Sequence, residues 1–339
     1  MRVLLTGVPG WLGNRFLEIL VKEYSKTDPI SDWDIRCLCQ PKIDISHINS
    51  LSSIKSIEVV RADVSQRESL NSALKNIDVV FHMVGIIHPH RIKQLYEVNT
   101  FGTQNILRAA YEAGVKKFVH ISSNSVGGMN VKRTKLMSED DPPNPYLHYG
   151  RSKYQAECSV NEFYQSGKLK TVILRPCWYY GPHQPERQTR FLRMIKKGNP
   201  IVFGSGDNLR SMSYVDNVCQ AMISAAQKDV ANGKTYWIAD ERPYRTIEIY
   251  QTVADLLGVR SFKPRYVPDM VSECCVMADS LLQRLGCYIK EIHVAGEMNK
   301  DIVCSIQKAK TELGYAPKIG LKDGMKRSIE WCRNNGIEI

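Results

Sequence analysis

The sequence TGVPGWLG, residues 6–13, stands between an apolar run at 3–6 and a helical pattern at 11–24. Its glycines at 7, 10 and 13 permit a tight turn, a close approach of backbone N–H groups to a pyrophosphate, and close packing of helix on strand. The start of the helix adds a favourable dipole for an anion. The stretch therefore predicts a dinucleotide-binding strand–turn–helix unit, although a purely structural glycine turn could have the same letters.

Outward from this loop, apolar β-rich runs alternate with helical patterns through the first half of the chain. Strands are predicted at residues 3–6, 35–39, 57–61, 79–82, 118–122 and 172–175. Helices are predicted between them at residues 11–24, 67–74, 91–113 and 148–166. Repeated strand–helix–strand order with nearly continuous apolar strands predicts an α/β fold with a doubly wound parallel sheet of the Rossmann type.

The regular alternation of strands and helices ends after residue 176, where prolines at 176, 182, 185 and 200 interrupt it. Further helices are predicted at residues 216–227, 246–257, 272–285 and 321–334. We therefore expect a dinucleotide-binding domain at 1–176. We expect residues 177–339 to form mainly a smaller, substrate-binding lobe over the C-terminal edge of the sheet, with some segments returning to it.

Composition narrows the class of protein. The chain has 339 residues, 43% apolar and 24% charged, and a net charge of +11 that points to an anionic partner. No apolar run reaches the roughly 18 to 20 residues of a membrane span. The ten cysteines are scattered without a C-x-x-C pair, which indicates a reducing, cytoplasmic setting. No nucleic-acid-binding module and no metal-ligand pattern is recognisable, so neither partner is expected.

Tyr149 and Lys153 are four residues apart near the start of a predicted helix, so they share one face. An ammonium group and an oxidised nicotinamide would both favour the phenolate, so that Tyr149 could exchange a hydroxyl proton while hydride moves. Ser123 ends the fifth predicted strand, at the edge where sites of α/β proteins assemble. The alternative is an exposed Tyr–Lys pair on the protein surface without a catalytic role.

Residues at the ends of two other strands are candidates for contacts with the adenine and the adenine ribose of the cofactor. Asp63 follows the third strand, where it could accept from an adenine amino group or merely cap the next helix. NAD enzymes usually place an acid after the second strand, but here Gln40 and Lys42 follow it. The missing acid favours NADP over NAD, unless Lys42 is simply a solvated loop lysine.

These motifs together resemble an extended short-chain dehydrogenase/reductase of the NAD-dependent epimerase/dehydratase family over almost the whole chain. The matching stretches are residues 6–13, 63–64, 98–105, 123, 149, 153, 175–176, 180–182, 214–217 and 312–317. The resemblance implies that Ser123, Tyr149 and Lys153 are the catalytic triad and that Asn99 shapes the active site. It implies cofactor contacts from Gly7, Gly10, Trp11, Leu12, Gly13, Gln40, Lys42, Asp63, Val64, Met83, Val84, Gly85, Tyr149, Lys153 and Pro176.

A basic stretch suggests the substrate. Residues 187–210 contain six cationic side chains and one acid, and arginine forks suit phosphate. By resemblance to nucleotide-sugar epimerases and reductases, Arg210 would neutralise a substrate diphosphate, with Arg187, Arg190 and Ser125 as further contacts. For each of the other cationic residues in this stretch, the alternative is a place on the solvent-exposed side of a basic helix. We expect NAD(P)-dependent oxidation at C4 of a nucleotide sugar, by a 4-epimerase or a 4-keto reductase.

Two alternatives stay open. The stretch at 214–217, with Asn217, also resembles the 3β-hydroxysteroid dehydrogenase/dihydroflavonol reductase branch, whose apolar substrates would not need Arg210. A non-catalytic dinucleotide sensor is the weaker alternative. Dehydration is disfavoured because Asn124 and Ser125 replace the Asp-Glu pair of sugar dehydratases, and glycines at 127 and 128 suggest an atypical pocket. Long helices at 91–113 and 148–166 resemble those through which the family forms homodimers.

Overall fold

The structure, a computed structural model, describes residues 1–24, 28–130 and 135–339. The strands in these parts are β1 Arg2–Thr6, β2 Asp34–Cys39, β3 Ile57–Arg61, β4 Val79–His82, β5 Lys117–Ile121, β6 Lys170–Pro176, β7 Trp178–Tyr180, β8 Ile201–Phe203, β9 Leu209–Arg210, β10 Met212–Tyr214, β11 Lys234–Ile238, β12 Tyr244–Arg245 and β13 Arg265–Val267. The α-helices are α1 Trp11–Lys22, α2 Ser46–Ser52, α3 Asn71–Leu74, α4 Lys93–Leu95, α5 Gly102–Glu112, α6 Leu147–Gln165, α7 Glu186–Lys196, α8 Val215–Gln227, α9 Thr246–Leu256, α10 Asp269–Arg284, α11 Lys290–Glu297 and α12 Leu321–Asn334.

The central sheet is parallel, with the order β11-β6-β5-β4-β1-β2-β3 across its seven strands in the described ranges. The chain runs outward from β1 to β3 and then returns to fill the other side from β4 onward. The direction therefore reverses between β1 and β4, and open α/β sheets bind ligands at such a switch point. The predicted doubly wound α/β fold is confirmed.

The strands alternate their side chains between two apolar layers. Val3 and Leu5 are fully buried in the layer that contains Phe16 of α1, whereas Leu4 is buried in the opposite layer with Ile106 of α5. This alternation follows from the two-residue period of a strand. The sheet is thus covered on both faces, as a parallel sheet requires.

Later parts of the chain form the lobe. Helices α7, α9 and α12 enclose a separate core around Leu192, Ile249, Val253 and Ile329, and α10 packs on α11. Strand β11 leaves the lobe and pairs with β6, with Lys234 opposite Val172. The division at 176 stays a prediction, and β11 is one of the returning segments for which that prediction allowed.

The structure refines the predicted elements. The helix predicted at 91–113 contains a π-helical turn, Tyr96–Phe101, between α4 and α5. Helices α2, α7 and α11 and strand β11 were not among the predicted elements. Helix α7 was missed because its charged residues outnumber the buried apolar pair Leu192 and Ile195. None of the helices in the described ranges is long and apolar enough to span a bilayer, and all ten cysteines are free thiols.

Candidate active site

The glycine loop is held by close backbone contacts. Gly7 has φ of +82°, and a Cβ there would lie 2.8 Å from the carbonyl carbon of Met83. A Cβ on Gly10 would lie 2.7 Å from the Gly7 carbonyl oxygen, which accepts a hydrogen bond from Gly10 N at 2.8 Å. Because Gly10 precedes α1 without a capping side chain, the first N–H groups of α1 are left for water or an anionic ligand.

A cleft of about 580 Å³ runs from this loop to helix α6. Of the predicted cofactor residues, it is lined by Gly7, Gly10, Trp11, Leu12, Gly13, Gln40, Val64, Met83, Val84, Gly85, Tyr149 and Lys153. Ser122 also lines the cleft, and its buried hydroxyl has no hydrogen-bond partner among the described residues. A glycine cradle and an unpartnered hydroxyl in one elongated cleft fit a bound dinucleotide.

Three predicted cofactor residues do not line the cleft. One carboxylate oxygen of Asp63 accepts from the backbone N and hydroxyl of Ser65, each at 2.8 Å, so it holds the turn before the next helix, whose N-cap is Gln66. Lys42 is exposed. Pro176 ends β6 and pairs with Ile238 of β11, so its position is set by the sheet.

A cation that was not predicted organises the loop near Gln40. One guanidinium nitrogen of Arg61 donates to the carbonyl oxygens of Gln40, at 2.9 Å, and of Ile43, at 2.8 Å. Gln40 and Ile43 both line the cleft. Arg61 therefore holds the end of the cleft at which the adenine ribose is expected, and the only sequence signal for it was a basic residue at the end of the third strand.

Lys153 is held on the floor of the cleft. Its ammonium donates to the carbonyl of Ile121 at 2.8 Å, and burial lowers its pKa to about 8 despite the nearby Glu157. Glu157 is itself held by a two-pronged ion pair with Arg175, at 2.9 and 2.6 Å. A buried lysine with a lowered pKa can change its charge near neutral pH.

Asn99 lies on the π-helical turn and joins three elements. Its side-chain oxygen accepts from Ile86 N at 2.9 Å, and its amide donates to Ile86 O and to Ser152 on α6, each at 3.0 Å. A π turn inside an α-helix often accompanies a functional site. Asn99 thus fixes the cleft segment after Gly85 relative to α6 without lining the cleft itself.

Tyr149 lies beside Ser123 as the sequence predicted. The nearby Ser123 hydroxyl and the positive charge of Arg187 both favour the phenolate, yet burial dominates and raises the pKa of Tyr149. The tyrosine is therefore protonated at neutral pH in the protein alone. This differs from the expectation that neighbouring charge lowers its pKa, because burial of the phenol outweighs the favourable contacts.

The three predicted substrate arginines have different surroundings. Arg187 lines the cleft, with its guanidinium 5.7 Å from the ring centre of Trp11. Arg210 is buried, lies over Trp178 at 5.5 Å and donates to the carbonyl of Glu297. Arg190 is exposed and lies 3.6 Å from a carboxylate oxygen of Glu186. Of the three arginines, only Arg187 lines the cleft.

Ser125 is buried in the short 3₁₀ turn Asn124–Val126 that follows β5. Its backbone N donates to the Ser123 hydroxyl at 3.2 Å, whereas its own hydroxyl has no partner in the described parts of the chain. The neighbouring Asn124 accepts from Ser123 at 3.4 Å. An amide and a hydroxyl thus stand where a dehydratase would need two acids.

The segment that joins α10 and α11 contacts the cleft through His88, a contact that the sequence did not predict. His88, which lines the cleft, is 2.7 Å from the Tyr288 hydroxyl, and Tyr288 lies beside His293 at 5.5 Å between ring centres. His293 is 2.7 Å from the buried carboxylate of Asp279, whose hydrogen bond raises the pKa of His293 against burial. These residues are far apart in sequence, and no local pattern connects them.

The chain matches the model of the 3-beta hydroxysteroid dehydrogenase/isomerase family over residues 4–268. It is 39% identical over 98% of its length to the uncharacterized protein y4nL of Sinorhizobium fredii, of which 96% is covered. It is 25% identical to the dTDP-D-glucose 4,6-dehydratase of Mus musculus, over 98% of this chain and 89% of that one.

The fold is shared with solved structures. The UDP-glucuronic acid 4-epimerase of Bacillus cereus, determined with UDP-glucuronic acid and NAD, superposes with a TM-score of 0.77 over 99% of this chain and all of that one, at 22% identity. The predicted resemblance to an extended short-chain dehydrogenase/reductase is confirmed, as is the prediction of an enzyme. The chain belongs to the 3-beta hydroxysteroid dehydrogenase/isomerase family.

Proposed function

We propose that the protein is an NAD(P)-dependent oxidoreductase or epimerase that oxidises a secondary alcohol at C4 of a nucleotide sugar. One observation carries the proposal. Tyr149 and Lys153 line the same cleft as the glycine loop, and Ser123 lies close enough to Tyr149 to favour its phenolate. A proton-exchanging phenol, an ammonium and a pyrophosphate cradle are the parts that alcohol oxidation by a nicotinamide needs.

Each residue would have a separate task. When bound, the nicotinamide accepts or returns a hydride. Ser123 would hold the substrate oxygen, and Tyr149 would take its proton. Lys153 is positive below its pKa of about 8, so it would favour negative charge on Tyr149 and hold the ribose. Asn99 would keep the segment at Ile86 in place.

The arginines support a substrate that carries a diphosphate. A buried cation without a carboxylate partner is costly, and the Nε of Arg210 is buried without a hydrogen-bond partner in the described residues. Burial also lowers the pKa of Arg187 and of Arg210. A diphosphate would compensate both cations. Arg190 would then contribute at most long-range attraction, because it is exposed.

Within this class, dehydration is disfavoured. Asn124 and Ser125 cannot provide the carboxylate pair that acts on the C5 proton and C6 hydroxyl of a sugar. A 4-epimerase would return the hydride to the other face of the same sugar and leave the cofactor unchanged. A 4-keto reductase would change the redox state of the cofactor in proportion to product.

NADP is proposed over NAD because Gln40 and Lys42, and no acid, directly follow β2, and because Arg61 lies near that strand end. The relative with a solved structure contains NAD, so the proposal concerns this chain's own residues. A homodimer through α5 and α6 is also proposed, since Tyr111 and Tyr164 on these helices are exposed. The ten thiols support a reducing compartment such as the cytoplasm.

An apolar alcohol is the second candidate, because the matching family model is that of 3-beta hydroxysteroid dehydrogenases/isomerases. A steroid would leave Arg187 and Arg210 without an anion. The experiment measures the thermal shift of the purified protein with NAD, NADP, UDP and a 3β-hydroxysteroid. Stabilisation by UDP together with a dinucleotide supports the sugar proposal, and stabilisation by the steroid instead of UDP would replace it.

A further inference from the structure

Five polar side chains without exposed surface form a layer between the sheet and helices α5 and α6. They are Thr6 at the end of β1, His82 at the end of β4, Asn99 and Thr103 on either side of the start of α5, and Ser152 in α6, all with 0% of their surface exposed. Burying a polar group is costly unless it is hydrogen-bonded. These five residues, which we call the buried polar layer, are therefore expected to be paired with one another, and the proposed chemistry uses only Asn99.

His82 stands at the centre of the buried polar layer and contacts two hydroxyl groups. The Thr6 hydroxyl lies 2.9 Å from its Nδ1, and the Thr103 hydroxyl lies 3.0 Å from its Nε2. Thr103 donates to the carbonyl oxygen of Asn99 at 2.7 Å, so its one proton is used there and it accepts from His82 Nε2. Burial lowers the pKa of His82 to about 3, so the ring is neutral and its Nδ1 accepts from Thr6. The other acceptor near Thr6, the Phe81 carbonyl, is 3.5 Å away.

The same chain of hydrogen bonds continues to the catalytic helix. The Asn99 amide donates to the Ser152 hydroxyl at 3.0 Å, and Ser152 donates to the carbonyl oxygen of Tyr149 at 2.8 Å. The side-chain oxygen of Asn99 accepts from Ile86 N at 2.9 Å, and Ile86 lines the cleft. One arrangement of protons thus satisfies each of these contacts from β1 to α6, and hydrogen bonds in such a chain strengthen one another.

His82 is placed where the two strand ends of the switch point can be held together. It lies opposite Thr6 in the pairing of β1 with β4, and Thr6 directly precedes Gly7 of the glycine loop. His82 itself directly precedes residues 83–88, all of which line the cleft. Through Thr103 it also reaches the start of α5. His82 therefore connects the part of the cleft that cradles the dinucleotide with the helices that carry the catalytic groups.

We propose that His82 is a positioning residue, which through Thr103 and Asn99 sets the distance between the nicotinamide end of the dinucleotide and the Tyr149 hydroxyl. The inference rests on the proposed function, because it concerns the step in which Tyr149 exchanges a proton. A displacement of about 1 Å between reacting groups can lower a rate about 100-fold. Dinucleotide affinity depends instead on the glycine loop, whose shape is made by backbone contacts. Loss of His82 should therefore lower kcat more than it changes KM or dinucleotide affinity.

His120 offers a matched control on the neighbouring strand. It lies opposite His82 in the pairing of β4 with β5, is also fully buried, and its ring centre lies 5.6 Å from that of His82. Neither ring nitrogen of His120 has a hydrogen-bond partner in the described ranges. The two histidines are thus equally buried, but only His82 belongs to the chain of hydrogen bonds. His120→Phe breaks no such bond and should leave kcat within about twofold of wild type.

The test measures kcat and KM for a UDP-sugar, and dinucleotide affinity, in variants of His82. His82→Phe keeps a ring of similar size without nitrogen atoms, and should lower kcat about 30-fold. KM and the dinucleotide dissociation constant should stay within about threefold. His82→Gln should recover most of kcat, because its amide reaches the position of Nε2 and can donate to Thr103. His82→Asn reaches only the position of Nδ1 and should not. Circular dichroism would establish that each variant is folded.

A double-mutant cycle separates the chain of hydrogen bonds from independent packing effects. Thr103→Val keeps the shape of the side chain, removes its hydroxyl and should lower kcat by a factor similar to that of His82→Phe. The double variant His82→Phe/Thr103→Val should lose no more than the larger single loss, because both substitutions break the same chain. Losses that multiply would overturn the proposal. It would also be overturned if His120→Phe lowered kcat as much as His82→Phe, or if His82→Asn recovered kcat as well as His82→Gln.

Hydrogen exchange distinguishes a failure of this inference from a failure of the proposed function. The Ile86 amide, which Asn99 holds, should exchange faster in His82→Phe and Thr103→Val than in the wild type and His120→Phe, whatever the substrate. Unchanged exchange in the first two variants would overturn the positioning role of His82. If exchange changes as expected but the wild type converts no nucleotide sugar, the proposed function fails, whereas the positioning of the cleft segment by His82 stands.

Discussion

Around the glycine loop, the functional geometry is made by the backbone, whereas in the lobe it is made by side chains from distant segments. A Cβ on Gly10 would meet the Gly7 carbonyl, and the register of β1 against β4 aligns the two strand ends. In the lobe, Arg210 is positioned by the ring of Trp178 and the carbonyl of Glu297. The sheet half should therefore respond to changes of backbone shape, and the lobe to changes of charge and hydrogen bonding.

The largest expected effect tests whether the chemistry belongs to the sheet half. Tyr149→Phe removes the proton-exchanging group and should lower kcat about 10³-fold. Dinucleotide affinity, measured by fluorescence titration, should change little because the glycine loop is intact. Turnover within tenfold of wild type would contradict the proposed chemistry, including the role of Ser123 beside Tyr149.

The next effect compares two glycines that precede helices. Gly10→Ala forces a Cβ to 2.7 Å from a backbone oxygen, whereas Gly320→Ala before α12 meets only the Tyr244 hydroxyl at 3.4 Å. Gly10→Ala should weaken dinucleotide binding about 100-fold, which corresponds to about 2.7 kcal/mol. Gly320→Ala should leave the dissociation constant within twofold or so. Equal effects in calorimetric titration would show that backbone shape at the loop is not limiting.

A smaller effect should come from the lobe. Arg210→Met removes a buried cation while keeping much of its volume, and should raise KM for a UDP-sugar about 30-fold, or about 2 kcal/mol. The exposed Arg190 offers a control, since Arg190→Met should change KM less than about twofold. Dinucleotide affinity should be unchanged in both. If Arg210→Met weakened dinucleotide binding as much as substrate binding, the proposed division between a cofactor-binding sheet half and a substrate-binding lobe would be contradicted.

The smallest effect concerns stability. Burial lowers the pKa of Lys153 from 10.5 to about 8, so the cost of its buried charge is fully present below pH 8 and disappears as pH rises towards 10.5. Lys153→Met should therefore raise the free energy of unfolding below pH 8 by about 1 kcal/mol, after the loss of the bond to Ile121 O. Urea unfolding across this pH window would measure it, with the exposed Lys168→Met as control. An advantage that grows with pH would contradict the assignment.

Sequence patterns predicted the features that depend on local period. The glycine loop, six of the seven sheet strands and the shared face of Tyr149 and Lys153 follow from periods of two and 3.6 residues. Strand β11 was missed because it enters the sheet from the lobe, where strands and helices no longer alternate regularly. Its pairing with β6 is a tertiary contact without a local signal.

Helix α10 shows a different limit of the same patterns. A 3.6-residue repeat of apolar and polar residues indicates that a helix has two different faces, but it does not indicate which face is buried. The exposed Met277 and the buried Asp279 would be assigned the opposite way by the usual preference for apolar residues inside. Only the hydrogen-bond partners offered by α11 and α6, including His293 as the partner of Asp279, decide the orientation.

The return of β11 to the edge of β6 makes the two regions inseparable at residue 176. A fragment ending there would leave β6 as an open edge strand, and would uncover Val172 and Leu174, which are buried in the layer shared with α8. Such an edge is a template for aggregation. To graft this lobe onto another nucleotide-binding sheet, α8 and β11 would have to stay with the sheet. Only the parts of the lobe outside α8 and β11 could be exchanged.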